Sequence, residues 1–338
     1  MAKKILIILS AFFSILFTIF IFTIPSRRQE IISPYLYDFQ KERPLDRYGF
    51  ENLRKREYPG SKIKFEKIIS EEKTYTSWLF SYQSDGKRIT GMANLPKVCD
   101  RFLACQSKLP VVVMLRGYVD EKIYFTGLGT RKAAGVFAEN GFLTLAPDFL
   151  GFGGSDSQSA DILEARFYRP VEVLNLLSSI KNLPQANPKK IFLWGHSNGG
   201  QIALSVLEIS QKAYPTVLWA PVTHGFPQAV FDYLGELDDQ GLKVKEAIDK
   251  FLEEYNPEKY SVDNYFLDIQ APIQVHQGEN DQLVKISWTD EFVAKMESLG
   301  KKIVYFKYPQ NDHNLKQSWD LVVQRDIEFF RRNLHPVE

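Results

Sequence analysis

Ile191-Phe192-Leu193-Trp194-Gly195-His196-Ser197-Asn198-Gly199-Gly200 reads as a strand that breaks sharply into a helix. An apolar run leads into the turn, and Gln201 to Ile209 continues with helix-forming character. The G-x-S-x-G pattern puts Ser197 at the apex of a nucleophile elbow, in strained backbone that lifts its hydroxyl above the sheet edge. Gly195 and Gly199 flank it because a side chain at either position would meet the neighbouring strand or helix. The amide of Asn198, opening the helix, points to where an oxyanion would form.

A serine hydroxyl is a weak nucleophile near neutral pH and needs a base within hydrogen-bond reach. The chain has five histidines: His196, His224, His276, His313 and His335. In α/β hydrolases the order along the chain is serine, acid, histidine. Only His313 and His335 come late enough, and His335 lies near the C-terminus beyond the last helix. His313 sits in the loop Pro309-Gln310-Asn311-Asp312-His313-Asn314, after the apolar run Ile303 to Tyr308, and is the expected base. The acid belongs in the loop after the preceding strand, Pro272 to His276. Asp281 is favoured there, with Glu279 and Asp312 as alternatives. Its carboxylate would accept the His313 Nδ1–H and leave Nε2 free for Ser197. The continuous apolar run Leu109 to Leu115 reads as a strand covered on both faces. It opens into Arg116-Gly117-Tyr118, where the Tyr118 amide, or its phenol, is the candidate second oxyanion donor.

Several further segments extend the pattern. They are Ser84 to Gly91, Val111 to Gly117, Ala146-Pro147-Asp148-Phe149-Leu150-Gly151-Phe152-Gly153-Gly154-Ser155-Asp156, Trp194 to Gly200, Ala220 to Thr223, His276 to Asp281, and Asp312-His313. In this order the chain resembles the α/β hydrolases of the prolyl-oligopeptidase and dipeptidyl-peptidase type, in their catalytic domain without the propeller. The resemblance covers about residues 60–332. It implies an α/β-hydrolase fold, a mostly parallel sheet with helices on both faces, and Ser197, Asp281 and His313 as nucleophile, acid and base. One departure stands out: relatives often carry His-Gly where this chain has Arg116-Gly117.

Composition narrows the function classes. At 338 residues with 44% hydrophobic content, the chain can hold one large domain with an appendage. A net charge of +1, with no basic cluster interleaved with aromatics, gives no sign of nucleic-acid binding. The glycine-rich segment 151–154 lacks the G-x-G-x-x-G spacing and a following acidic residue for a ribose, so no dinucleotide is expected. Neither a phosphate-loop lysine motif nor H-E-x-x-H occurs, and neither metal nor organic cofactor is expected.

Lys3-Lys4 precede Ile5 to Ile24, which carries no charge and has the length of a bilayer span. With no A-x-A-like cleavage site after it, the segment reads as an uncleaved N-terminal anchor rather than a removed signal. Cys99 and Cys105, the two cysteines, share one polar loop and read as a small disulfide of an oxidising compartment. The expected organisation is a membrane anchor at 1–25, a tether at 26–57 and an extracytoplasmic hydrolase domain at 58–334. Ile63 to Tyr82 and Ile89 to Leu95 should open the domain as antiparallel strands joined at Gln83-Ser84-Asp85-Gly86. A cap insertion at about 222–270 would shape access to the site, and its Glu236, Asp238 and Asp239 are candidates to meet a cationic group such as a peptide amine. The expected activity is acyl transfer from short peptides; small acyl esters are the alternative substrate. A non-catalytic tethered binding scaffold is a further alternative, and oligomeric state is not legible.

Overall fold

The computed structural model describes residues 43–97 and 108–334. Among them, nine strands form a single sheet in the order β1-β2-β3-β5-β4-β6-β7-β8-β9. β1 (Lys64–Glu71), β2 (Tyr75–Ser84) and β3 (Lys87–Pro96) are antiparallel, and β3 also runs antiparallel to β5 (Leu143–Pro147). From there β4 (Leu109–Leu115), β5, β6 (Ala186–His196), β7 (Thr216–Trp219), β8 (Ile273–Gly278) and β9 (Ile303–Tyr308) are parallel to their neighbours. This is the α/β-hydrolase architecture expected from the sequence. The β2–β3 hairpin turns at Asp85 and Gly86, with φ of 49° and 80°, as a tight hairpin with two left-handed positions requires.

Alternation along the central strands divides the core in two. Val111, Val113, Leu115, Leu193 and Leu218 pack on one face, while Val112, Met114, Phe192, Trp194 and Val217 pack on the other. The first face is covered by α1 (Phe50–Lys55), α3 (Ile162–Ile180), α4 (Asn198–Ser210) and α7 (Ile286–Ser298). The second is covered by α2 (Arg131–Glu139) and α8 (Trp319–Leu334). Strands buried on both sides explain why their sequence shows continuous apolar runs rather than alternation of apolar and polar residues.

Between β7 and β8 lie the short α5 (Gln228–Phe231), α6 (Leu242–Glu254) and several 3₁₀ turns. Phe226, Phe251, Tyr260, Val262 and Phe266 from this insertion are buried in the main core. The compact unit begins at Leu45, and Leu45, Tyr48, Phe50 and Leu53 are buried in it. Among the described residues no helix is long and apolar enough to cross a membrane. The anticipated span at Ile5 to Ile24, His335, and the Cys99–Cys105 pairing lie outside the described residues.

Candidate active site

β6 ends in the elbow. Ser197 has φ 55° and ψ −122°, a conformation that L-residues seldom adopt and that the surrounding bonds enforce. Its N–H donates to the Trp219 carbonyl (2.9 Å), and its carbonyl accepts from Gly200 N (2.9 Å) and Val222 N (3.1 Å). The flanking glycines answer to close approach. A Cβ at Gly199 would lie 2.0 Å from the Leu115 carbonyl oxygen, and one at Gly195 would lie 2.6 Å from the Gly199 oxygen. The elbow is thus wedged against the C-terminal end of β4. A Cβ at Gly117 would come within 3.6 Å of Ser197 Oγ, which puts the loop after β4 beside the hydroxyl.

Asp281 and His313 meet as the sequence order anticipates. His313 Nδ1 donates to Asp281 Oδ2 at 2.8 Å, with both residues buried. Asp281 Oδ1 accepts from the backbone N–H groups of Leu283 (2.8 Å) and Val284 (2.9 Å), which fixes the carboxylate at the head of the turn. Burial alone would raise the Asp281 pKa. The hydrogen bond and charge of His313, with those two amides, outweigh it and hold the carboxyl below its usual range. With Nδ1–H committed to Asp281, a neutral His313 ring carries its lone pair on Nε2. Among the rival acids, Glu279 is exposed, and Asp312 Oδ1 accepts from the Asn314 and Lys316 amides (both 3.1 Å) as a turn cap.

The elbow and the histidine loop are joined by the residue before the serine. His196 Nε2–H donates to the His313 carbonyl at 3.0 Å, and the two rings lie 4.7 Å apart between centroids. Burial, reinforced by the proximity of His313, lowers His196 to about 4, so it stays neutral near pH 7. Asn198 opens α4, and its N–H, the first of the helix, precedes any intrahelical acceptor. Tyr118 lines the same cleft as Asn198, yet its side chain is 69% exposed. The Tyr118 phenol is therefore in solvent, while the adjacent Gly117 is the loop residue that approaches Ser197. In the insertion, Asp239 faces Lys243 at 4.0 Å; the side chains of Glu236 and Asp238 lie outside what is described.

Two supporting residues lie outside the set of site residues expected from the sequence. Gln277, buried on β8, donates from Nε2 to Asp281 Oδ2 (3.0 Å), and Thr289 Oγ1 donates to Gln277 Oε1 (2.9 Å), locking the amide. Arg116, noticed only as a departure from the His-Gly pattern, is buried. Its guanidinium donates to the carbonyls of Gly117 (2.9 Å) and Asp148 (3.1 Å) and lies against the rings of Tyr124 (4.5 Å) and Phe152 (4.2 Å). Asp148 is itself held by the hydroxyls of Thr90 (2.5 Å), Tyr124 (2.7 Å) and Thr126 (3.0 Å). The loop beside Ser197 is consequently anchored by an arginine clamp.

Residues 128–336, more than half of the chain, match the model of the prolyl oligopeptidase family. The chain belongs to that family. It is accordingly a serine hydrolase of the α/β-hydrolase superfamily. Among solved structures, it resembles the acylaminoacyl peptidase of Pyrococcus horikoshii (18% identity, TM-score 0.59, covering 79% of this chain and 43% of that one). The acetyl xylan esterase of Paenibacillus sp. R4 is similar as well (17%, 0.62, 86% and 95%). A puromycin-hydrolyzing peptidase of Mycobacterium tuberculosis also matches (13%, 0.56, 78% and 40%). This hydrolase therefore spans less than half the length of the two peptidases. No curated protein matches the sequence.

Proposed function

We propose that the hydrolase cleaves short peptides through an acyl-enzyme on Ser197. Ser197 Oγ attacks the scissile carbonyl carbon as its proton passes to His313 Nε2, and Asp281 holds the resulting imidazolium. The tetrahedral oxyanion is met by the Asn198 N–H and an amide of the Gly117–Tyr118 loop. His313 then gives its proton to the departing amine, and the C–N bond breaks to leave the acyl-enzyme. Water, deprotonated by His313, attacks that ester and releases the acid and Ser197. The observation that carries this reading is the buried His313–Asp281 pair, joined through His196 to a strained Ser197.

Small acyl esters are the second reading, favoured by the likeness to an acetyl xylan esterase over 95% of that chain. The same three residues serve both chemistries, with an alkoxide replacing the amine. Peptidyl 4-nitroanilides and 4-nitrophenyl acetate, assayed side by side with Ser197→Ala as blank, separate the two. The peptide reading expects Ser197-dependent anilide cleavage; ester turnover with none of the anilides cleaved would replace it with the esterase. The uncharged stretch Ile5 to Ile24, with Cys99 and Cys105 paired in one loop's sequence as disulfides outside the cytoplasm are, supports a further proposal, that the chain is held by one N-terminal span with its domain outside the cytoplasm. Protease added to intact cells should then degrade the domain; protection until lysis would contradict that placement.

A further inference from the structure

A cavity of 510 Å³ opens beside Asn198, on the face of α4 formed by Asn198, Gln201, Ile202 and Ser205. These positions recur at i, i+3, i+4 and i+7, so Asn198 and the rest share one stripe of the helix. The opposite wall comes from α3 and brings in two arginines, Arg166 and Arg169; among the described residues no aspartate or glutamate lines the space. Arg169 is already paired with Glu172 at 3.3 Å and bonded to Gln158 at 2.8 Å. Arg166 differs. Its Nη2 donates to Gln201 Oε1 at 2.5 Å, and Gln201 Nε2 in turn donates to the His224 carbonyl at 2.7 Å, which fixes that amide. Among the described residues, no carboxylate forms an ion pair with Arg166. Burial lowers its pKa to about 10, which still leaves it charged at neutral pH. A half-buried guanidinium with one neutral acceptor retains donors for an anion.

We propose that Arg166 receives a carboxylate of the substrate whose scissile carbonyl lies at Ser197. This inference rests on the acyl-enzyme reading and names the substrate class for it. Gln201 lies about one helical turn, roughly 5 Å, along α4 from Asn198, so the carboxylate sits a few bonds from the carbonyl under attack. Planar guanidinium–carboxylate pairing supplies both orientation and selectivity. The carboxylate has two possible sources: the acyl side, as in the hemiester of a dicarboxylic acid, or the leaving-group side, as in a peptide with a free C-terminus.

The test compares kcat/KM within matched pairs. One arm uses 4-nitrophenyl hemiadipate against 4-nitrophenyl hexanoate, and the other uses a tripeptide with a free C-terminus against its amide. The anionic member should be preferred by roughly 10–100-fold in one arm, which identifies the source. Arg166→Met should collapse that preference, and Arg166→Lys should restore part of it. In parallel, calorimetry with Ser197→Ala and each anionic member, the hemiadipate ester and the free-C-terminus tripeptide, should detect binding of at least one over its neutral match, weakened by a similar factor when Arg166→Met is added. Equal use of both members in both arms, or a preference that survives Arg166→Met, overturns the proposal while leaving the hydrolase reading intact. Failure of a fluorophosphonate to label Ser197 would instead remove the acyl-enzyme reading; the calorimetric comparison still decides whether Arg166 binds a carboxylate.

Discussion

At the scale of the residue, the site depends on groups whose tolerance for change is close to zero. On the proposed mechanism, Ser197→Ala removes the nucleophile and His313→Ala the base, and either should lower kcat by about 10⁶-fold, leaving only the residual rate that binding and the oxyanion amides support. Asp281→Asn keeps the shape of the pair but reverses the hydrogen-bond donor at Oδ2, so His313 is pushed toward the unproductive tautomer. A loss in kcat of about 10⁴-fold is expected, measured by steady-state kinetics, with the fold retained by circular dichroism. A loss below tenfold would mean that Asp281 does not orient His313. Gly199→Ala is a structural counterpart. Its new Cβ would collide at 2.0 Å with the Leu115 carbonyl, which is backbone and cannot swing aside. We expect destabilisation of about 3 kcal/mol or more, read from urea unfolding.

At the scale of the element, the loop after β4 and the helix α3 hold the parts that sequence motifs do not reveal. Arg116 ties the loop to the strand-end residue Asp148 through two carbonyls at once. Arg116→Met should lower kcat by roughly 10–100-fold with a smaller change in KM, because the oxyanion amides lose position rather than identity. Arg116→Lys should rescue little, since one ammonium cannot span both carbonyls as the planar guanidinium does. Full rescue by lysine would argue that charge alone matters. On α3, burial raises Glu172 to about 7 from 4.5, opposed by Arg169 and the Leu150 amide. The folded state therefore binds this proton more tightly than the unfolded chain does. Its contribution to stability is full below pH 4.5 and is lost as the pH rises through about 7. Comparing the native protein with Glu172→Gln by denaturant unfolding should show the stability difference between them shifting by about 3 kcal/mol from pH 4.5 to pH 8, with the glutamine protein the flatter. Parallel pH profiles would contradict the assignment.

At the scale of the whole molecule, the sheet and the order of its catalytic elements were legible because they follow from local rules. Continuous apolar runs marked β4 and β6, Asp85-Gly86 marked the hairpin, and the glycines around Ser197 marked a turn that only small residues permit. Asp281 and His313 could be picked out because each follows a strand end in the fixed order of the fold. What stayed hidden depends on contacts far apart in the chain. Arg116 meets Asp148 across the sheet, Gln277 is recruited by Thr289 one helix later, and Arg166 faces Gln201 from a different helix; no periodicity encodes any of these. Residues 45–55, by contrast, carry the aromatics Tyr48 and Phe50 that mark the tether as packing on the domain, and Leu45, Tyr48, Phe50 and Leu53 are buried in the core. Leu53 is 1% exposed, so Leu53→Ala should cost about 3 kcal/mol in urea unfolding, whereas a loosely attached segment would lose almost nothing.

The central claim is that the whole fold converges on one activated serine. The most direct measurement is the rate of fluorophosphonate labelling of the full chain, with the adduct mapped by peptide mass spectrometry. A single adduct on Ser197, absent in Ser197→Ala and slowed by several orders of magnitude in His313→Ala, is the expected result. Labelling elsewhere, or equal labelling of the native protein and His313→Ala, would contradict it.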